Sequence, residues 1–313
     1  MEHKRILLTG VALVVLYCVL ASFADAATRI VAKAFDAPQL FFFSGAVGMA
    51  LSYLMMRRTS GPVSLRPKAP WLLALRSGLF VLSCAFYFYA FGSLVFVEVF
   101  AFIALVPIIA GLLSGPVLGE SVRPFSWVAL LGGTGGMFAM YPDGLAAVSM
   151  GHMFALLGAI TGASSMVLAR LISRYDSNSL LQVFYPNLAI FAVMGCILPF
   201  TYAPMGLSYT VLVLGYGVIL FAARWVLVLS LVRLPAYVAT PLINIQFVIM
   251  LLIGYFAFDE VPTLNVLTGA VIIIAAGVML VVEQYRKQKR ADGARDPSSR
   301  SDRLAAPKLP KLA

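Results

Sequence analysis

Ten apolar runs, each about twenty residues long, leave this chain little choice of fold. They cover roughly 6–27, 38–56, 70–91, 95–117, 124–141, 150–173, 181–201, 207–232, 236–258 and 264–282. A helix of about 20 residues crosses a hydrocarbon core of roughly 30 Å. Lipid offers no partner to a backbone amide or carbonyl, so runs of this length close their hydrogen bonds within helices. Almost nothing between residues 1 and 282 is left for a soluble domain. With 61% hydrophobic and 12% charged residues, an ordinary soluble domain is excluded. The expected class is an all-α integral membrane protein with ten transmembrane helices.

Two stretches of this core read alike. One runs from Phe102 through Glu120 to Phe138, the other from Ile245 through Glu260 to Leu280. Each is an apolar helix, a short acidic turn and a second helix of small and apolar residues. Such internal repetition is typical of secondary transporters built from two halves around a midplane site. The expected organisation is a first repeat over 1–146 (spans one to five) and a second over 147–282 (spans six to ten). A disordered basic tail is expected over 283–313, with nine Lys/Arg against four Asp/Glu. Five spans per repeat is an odd number, so the second copy inserts upside down. Glu120 then faces the cytoplasm and Glu260 the far side.

Positive charge sets the orientation. Lys4 and Arg5 precede span one; Arg57, Arg58, Arg66 and Lys68 fill the second loop. Arg123, Arg170, Arg174 and Arg233 continue the even-numbered loops, and Arg286, Lys287, Lys289 and Arg290 follow span ten. Among the odd-numbered loops only the first carries basic residues, Arg29 and Lys33. Both termini are expected in the cytoplasm. Lys4–Arg5, an apolar stretch and Ala24-Asp25-Ala26 imitate a signal peptide, but cleavage would leave nine spans and break the five-plus-five pattern.

The net charge of +10 is about half tail and half core. No folded basic module accompanies it, so nucleic acid is not an expected partner. Cys18, Cys84 and Cys196 lie far apart without a CxxC, and the two histidines, His3 and His152, cannot build a cluster alone. No metal site and no cofactor is expected. The expected partners are a small-molecule substrate and the lipid bilayer.

The residues around the two acidic turns resemble the drug/metabolite transporter superfamily, specifically its ten-span EamA-like carriers, over about residues 6 to 282. Pro107 precedes a Gly-Glu at 119–120, followed by Trp127 and Gly136; Glu260, Gly269 and Gly277 stand in similar places in the second copy. Asp25-Ala-Ala-Thr-Arg29, Arg76-Ser, Val97-Glu98, and Pro241 with Gln246 look like the branch of bacterial riboflavin and S-adenosylmethionine carriers. The resemblance implies a multi-pass protein of a bacterial cytoplasmic (inner) membrane. It also allows a homodimer through spans five and ten. Three residues depart from the pattern it implies: Asp259 replaces Gly, Asn244 an aromatic residue and Arg224 a histidine.

An ionisable group within a span costs on the order of 2.5–3.5 kcal/mol on insertion scales, so each needs a reason. Asp25 and Arg29 share a helix face at i, i+4; they read as a self-neutralising pair or as a gate or coupling pair. Glu98 could pair with Arg29 or Lys33, carry a proton, or sit solvated at the interface. Arg76 either snorkels or belongs to the same gating set. Arg224 lies about 25 Å into span eight and is the better candidate to contact an anionic or polar substrate. Asn244 and Gln246, with the carbonyl freed by Pro241, offer a neutral hydrogen-bonding site near the midplane, or interhelical glue. Tyr185 and Asn187, flanking Pro186, repeat that chemistry in span seven. Tyr87 belongs to an aromatic cluster in span three that could stack on a planar ligand or simply pack. Glu120 and Glu260 read as structural carboxylates at the N-terminus of the following helix. Gly111/Gly115, Gly132/Gly136 and Gly158/Gly162 permit close helix approach.

The expected function is a secondary carrier moving a small polar or amphipathic metabolite (vitamin-like, nucleoside-like or an amino-acid derivative) by alternating access. An exporter of amino acids or drugs from the same superfamily is the alternative. No GxxxxGK[ST] occurs, so ATP is not the direct energy source. An intramembrane lipid-modifying enzyme would want clustered His/Asp/Glu or a nucleophile with a base, which the scattered carboxylates do not offer. A non-transporting receptor would need a partner surface, and only the tail offers one.

Overall fold

A computed structural model of the chain describes residues 2–58, 66–119, 128, 131–132, 135–136, 139, 148–172, 174–175, 181–233 and 245–295. Glu120, Pro241 and Asn244 lie outside them, as does the side chain of Pro107. Among the described residues all regular structure is helical. The helices are α1 (Glu2–Ala32), α2 (Ala37–Arg58), α3 (Pro70–Ser93), α4 (Phe96–Leu118), α5 (Met150–Ile172), α6 (Leu181–Thr201), α7 (Leu207–Arg233), α8 (Ile245–Phe258) and α9 (Leu264–Arg295). Seven of them, α1 to α7, are long and apolar enough to cross a membrane. Their outer faces are apolar too: Phe200 is 87% exposed, Leu207 81% and Phe256 77%. A soluble protein does not leave such surface in water; a helix bundle in lipid does.

Helix α9 runs to Arg295, past the expected start of a disordered tail at 283. Glu, Gln, Lys and Arg are strong helix formers, and a helix already nucleated in the apolar segment extends through them at little cost.

The ends of the helices fix their directions. Arg174, just past α5, donates to the carbonyl of Leu118 at the end of α4 (3.0 Å). At the opposite end Glu98 and His152, near the starts of the same two helices, approach to 3.7 Å. Helices α4 and α5 therefore run parallel, and Gly119 and Ser149 lie at opposite ends of the bundle. One end carries Arg57, Arg58, Arg66, Lys68, Arg170 and Arg174. It is called the basic end below. The opposite end joins the α1–α2, α3–α4 and α8–α9 connections.

Packing follows a pattern of exchange. The closest associations are α3 with α5, α1 with α7 and α2 with α6, then α4 with α5, α2 with α7, α3 with α6, α4 with α9, and α1 with α8. Swap α1–α4 for α5–α8 in order, and each of these except α4 with α9 becomes another of the same set. Small residues let these helices approach: a methyl at Gly158 would lie 3.1 Å from the Tyr87 ring, and one at Gly162 would lie 2.8 Å from Ser83 Oγ. Ser83 spans that contact by donating to the carbonyl of Gly158 (2.9 Å). The Gly132/Gly136 face of span five is also used inside the chain: a methyl at Gly136 would meet the Gly269 carbonyl of α9 at 2.8 Å.

Candidate functional site

Arg224 stands near the middle of α7, nine residues short of its end at Arg233. At 1.5 Å per residue it lies roughly 14 Å from the basic end, close to mid-depth in a core of about 30 Å. It borders a small cavity of about 20 Å³ with Ser44 of α2, Phe80 and Cys84 of α3, Asn187 of α6 and Tyr216 of its own helix. That volume is enough for one water. The guanidinium lies 5.2 Å from the centroid of the Phe80 ring. Among the described residues no carboxylate pairs with it.

Around this cavity polar groups converge from four helices. Arg76 of α3 and Tyr17 of α1 lie within electrostatic reach of Arg224, as do Cys84 and Tyr216. Asp25 of α1 reaches Tyr17, Tyr87 and Tyr216 in the same way. Gln246 of α8 donates from Nε2 to Asp25 Oδ2 at 3.0 Å. The hydroxyl of Tyr87 and Nε of Arg76 are buried without a hydrogen-bond partner among the described residues. A buried orphan donor is costly, so this region has spare hydrogen-bonding capacity that a ligand or water can use.

Arg76 reaches across to the first turn of α6. Its Nη1 donates to the carbonyl of Gln182 in α6. The reason is four residues further on: Pro186 lacks the N–H that would have closed the helical bond to Gln182, so that carbonyl is open. Asn187 turns inward beside it, donating to Val183 O (2.8 Å), and a methyl at Gly48 of α2 would meet its Oδ1 at 2.8 Å. Tyr185 faces the other way and lines an apolar cleft between α3 and α6. Tyr89 and Phe86 of the span-three aromatic cluster pack on Phe154 of α5.

A second polar cluster closes the end of the bundle opposite the basic end. Arg29, 5% exposed, forms an ion pair with Glu260 and donates to the carbonyls of Leu94 and Phe91 at the end of α3. The other Glu260 oxygen accepts from the Phe96 amide at the start of α4 (2.9 Å). The last carbonyls of one helix and the first amides of the next have no partners of their own. A cation on the α3 C-terminus and an anion on the α4 N-terminus satisfy them and oppose both helix dipoles. The Phe258 ring lies under Arg29, 5.1 Å away, and under Lys33, 5.8 Å away.

Two sequence expectations change here. Asp25 and Arg29 share a face of α1 but bond to different helices, because partners 221 and 231 residues away offer better geometry than one turn of the same helix. Glu260 caps α4, not the helix that follows it, because the Asp259 turn (φ 52°) aims its side chain back across the bundle. His152 was not legible as part of this cluster. Its Nδ1 accepts from the Ser149 amide (2.9 Å), as the third residue's side chain does in a capping box, so Nε2 is the nitrogen turned to Glu98. The Ser-x-x-His spacing before an apolar run was the available signal. Tyr216 was also missed; eight residues before Arg224, it recurs on nearly the same helix face.

Residues 8–141, fewer than half of the chain, match the EamA-like transporter family, so this first part of the chain is similar to EamA-like transporters. The chain is 25% identical over 276 residues to the Pseudopaline exporter CntI of two Pseudomonas aeruginosa strains, covering 88% of this chain and 96% of the relative. It is 24% identical over 184 residues to a Riboflavin transporter of Vibrio cholerae, covering 59% of this chain and 62% of that one. A solved crystal structure matches with a TM-score of 0.58 at 21% identity, over 88% of this chain and 97% of the other, a likeness of fold.

Proposed function

We propose that this chain is a secondary carrier for a small metabolite bearing a carboxylate or a similar anionic group, moved by alternating access. The observation that carries the reading is Arg224: a guanidinium near mid-membrane, at a cavity, with an aromatic ring as its recorded partner among the described residues. A cation kept at that depth is expensive, and a substrate anion would offset the cost during transport. Asn187, Tyr87 and Gln246 would supply neutral hydrogen bonds, and Asp25 would hold Gln246 in place or receive a cationic part of the same substrate. The names of the relatives, an exporter and a riboflavin transporter, support metabolite-sized cargo and leave the direction of movement to the gradient.

Ten crossings in two inverted halves suit the parallel run of α4 and α5 and the exchange symmetry of the helix contacts. By the positive-inside rule the basic end would face the cytoplasm. The Arg29–Glu260 cluster would then seal the outer end, and Glu98, beside it, would be the candidate coupling group.

The test is uptake or counterflow in proteoliposomes across a panel of carboxylated, neutral and cationic metabolites, for wild type, Arg224→Ala and Arg224→Lys. The expected result is transport of an anionic substrate, lost in Arg224→Ala and partly kept in Arg224→Lys. Normal kinetics in Arg224→Ala, with correctly folded protein, would remove Arg224 from the substrate path.

A further inference from the structure

An apolar cleft of about 820 Å³ lies between α3 and α6, lined by residues other than those around Arg224. Its floor is buried Leu73, Ser77 and Val81; Leu75, Leu82 and Val193, each nearly half exposed, form its outer lips. Gly78 lies along it with nothing within 4 Å of where a Cβ would be, so the groove is open at mid-length. Pro67 and Pro70 bound its lower end. From Pro70 to Leu82 it runs about 18 Å along the helix, close to the depth of one leaflet of a core roughly 30 Å thick.

The lower end marks its own depth. Trp71, 67% exposed, stands where indole rings settle at the headgroup level. Arg66 and Lys68, both exposed, flank Pro67, which lines the cleft at this end. An apolar slot one leaflet deep with two cations at its interfacial mouth complements one kind of molecule: an acyl chain attached to an anionic headgroup.

We propose that this groove is a binding site for an anionic phospholipid of the leaflet at the basic end, its phosphate held by Arg66 and Lys68 and one acyl chain lying over Gly78. Each basic residue near an anionic headgroup contributes on the order of 1 kcal/mol, which for two residues is about a 30-fold preference over a zwitterionic lipid.

The experiment uses the full chain purified in detergent, titrated with phosphatidylglycerol or phosphatidylcholine and read by native mass spectrometry. Wild type should hold one phosphatidylglycerol with about that 30-fold preference. Arg66→Ala/Lys68→Ala should bring the two lipids near parity. Gly78→Leu fills the groove in open space, so the protein should fold but lose the bound lipid whatever its headgroup. Equal retention of both lipids by wild type would overturn the proposal, as would an undiminished preference in either variant. So would dimers that Gly78→Leu dissociates, since the groove would then be covered by a second copy of the chain.

Discussion

Asp259 holds a left-handed backbone, φ 52°, where the corresponding residue of the first repeat is Gly119 at φ 69°. Each lies one position before a glutamate, Glu260 or Glu120. The amide of Glu260 closes back on the Gly254 carbonyl six residues earlier (3.0 Å), with Asp259 in the left-handed position that glycine usually fills after a helix. A side chain there crowds its own carbonyl, although aspartate tolerates the region better than most residues. Asp259→Gly should therefore stabilise the fold by about 1 kcal/mol, since the turn is already formed and only the Cβ penalty is removed. Thermal unfolding in detergent measures it. A lower midpoint would mean that the Asp259 carboxylate contributes more than its backbone costs. The spacing of the two acidic turns marked this residue in the sequence as a departure, but its conformation was not legible there.

Within α6, one missing N–H organises several side chains. Pro186 opens the Gln182 carbonyl and Arg76 occupies it, which ties α3 to the first turn of α6. Pro186→Ala restores an amide that competes for that carbonyl. Alanine is the better helix former, so on propensity alone the variant should gain about 3 kcal/mol. The expectation here is different: burial of an under-satisfied guanidinium should cancel much of that gain, by about 1–3 kcal/mol. Arg76→Met in the same background should recover it, giving a non-additive cycle in chemical or thermal unfolding. Additive effects would mean the Arg76–Gln182 contact contributes nothing.

Elements of this kind divide what the sequence makes legible from what it hides. Helix existence and direction follow from local composition, because lipid forces each apolar run to satisfy its own backbone. The depth of Arg224 follows from counting along one helix. Partner choice does not: Arg29 and Glu260 lie 231 residues apart, and only the folded bundle decides that they meet. The continuation of α9 to Arg295 was hidden for the opposite reason. Charge and polarity there read as disorder, while the helix-forming residue types were outweighed by the change in composition.

At the scale of the whole molecule, the two polar clusters describe one conformation. The end opposite the basic end is drawn together by Arg29, which binds α3, and Glu260, which binds α4, so that α1, the α3–α4 turn and the α8–α9 turn are tied at a single point. Deeper in, Asp25 and Gln246 tie α1 to α8 again. The Arg224 cavity at about 20 Å³ is too small for a metabolite, so under the proposed function substrate entry would require these helices to separate. Truncating one partner of a buried ion pair costs about 3–5 kcal/mol, because the other is left unpaired. Placed on a closed conformation alone, a loss of that size shifts the balance toward opening by a factor of roughly 10² to several times 10³. Cys84 lines the cavity and reports the change. In a background with Cys18→Ser and Cys196→Ser, wild-type Cys84 should resist a membrane-impermeant maleimide added from the side that bears the Arg29–Glu260 cluster. Glu260→Gln should make it reactive from that side without raising its reactivity from the basic end. Equal gains from both sides would indicate general loosening, and no gain would mean that this cluster holds the α3–α4 turn together without closing the path to Arg224.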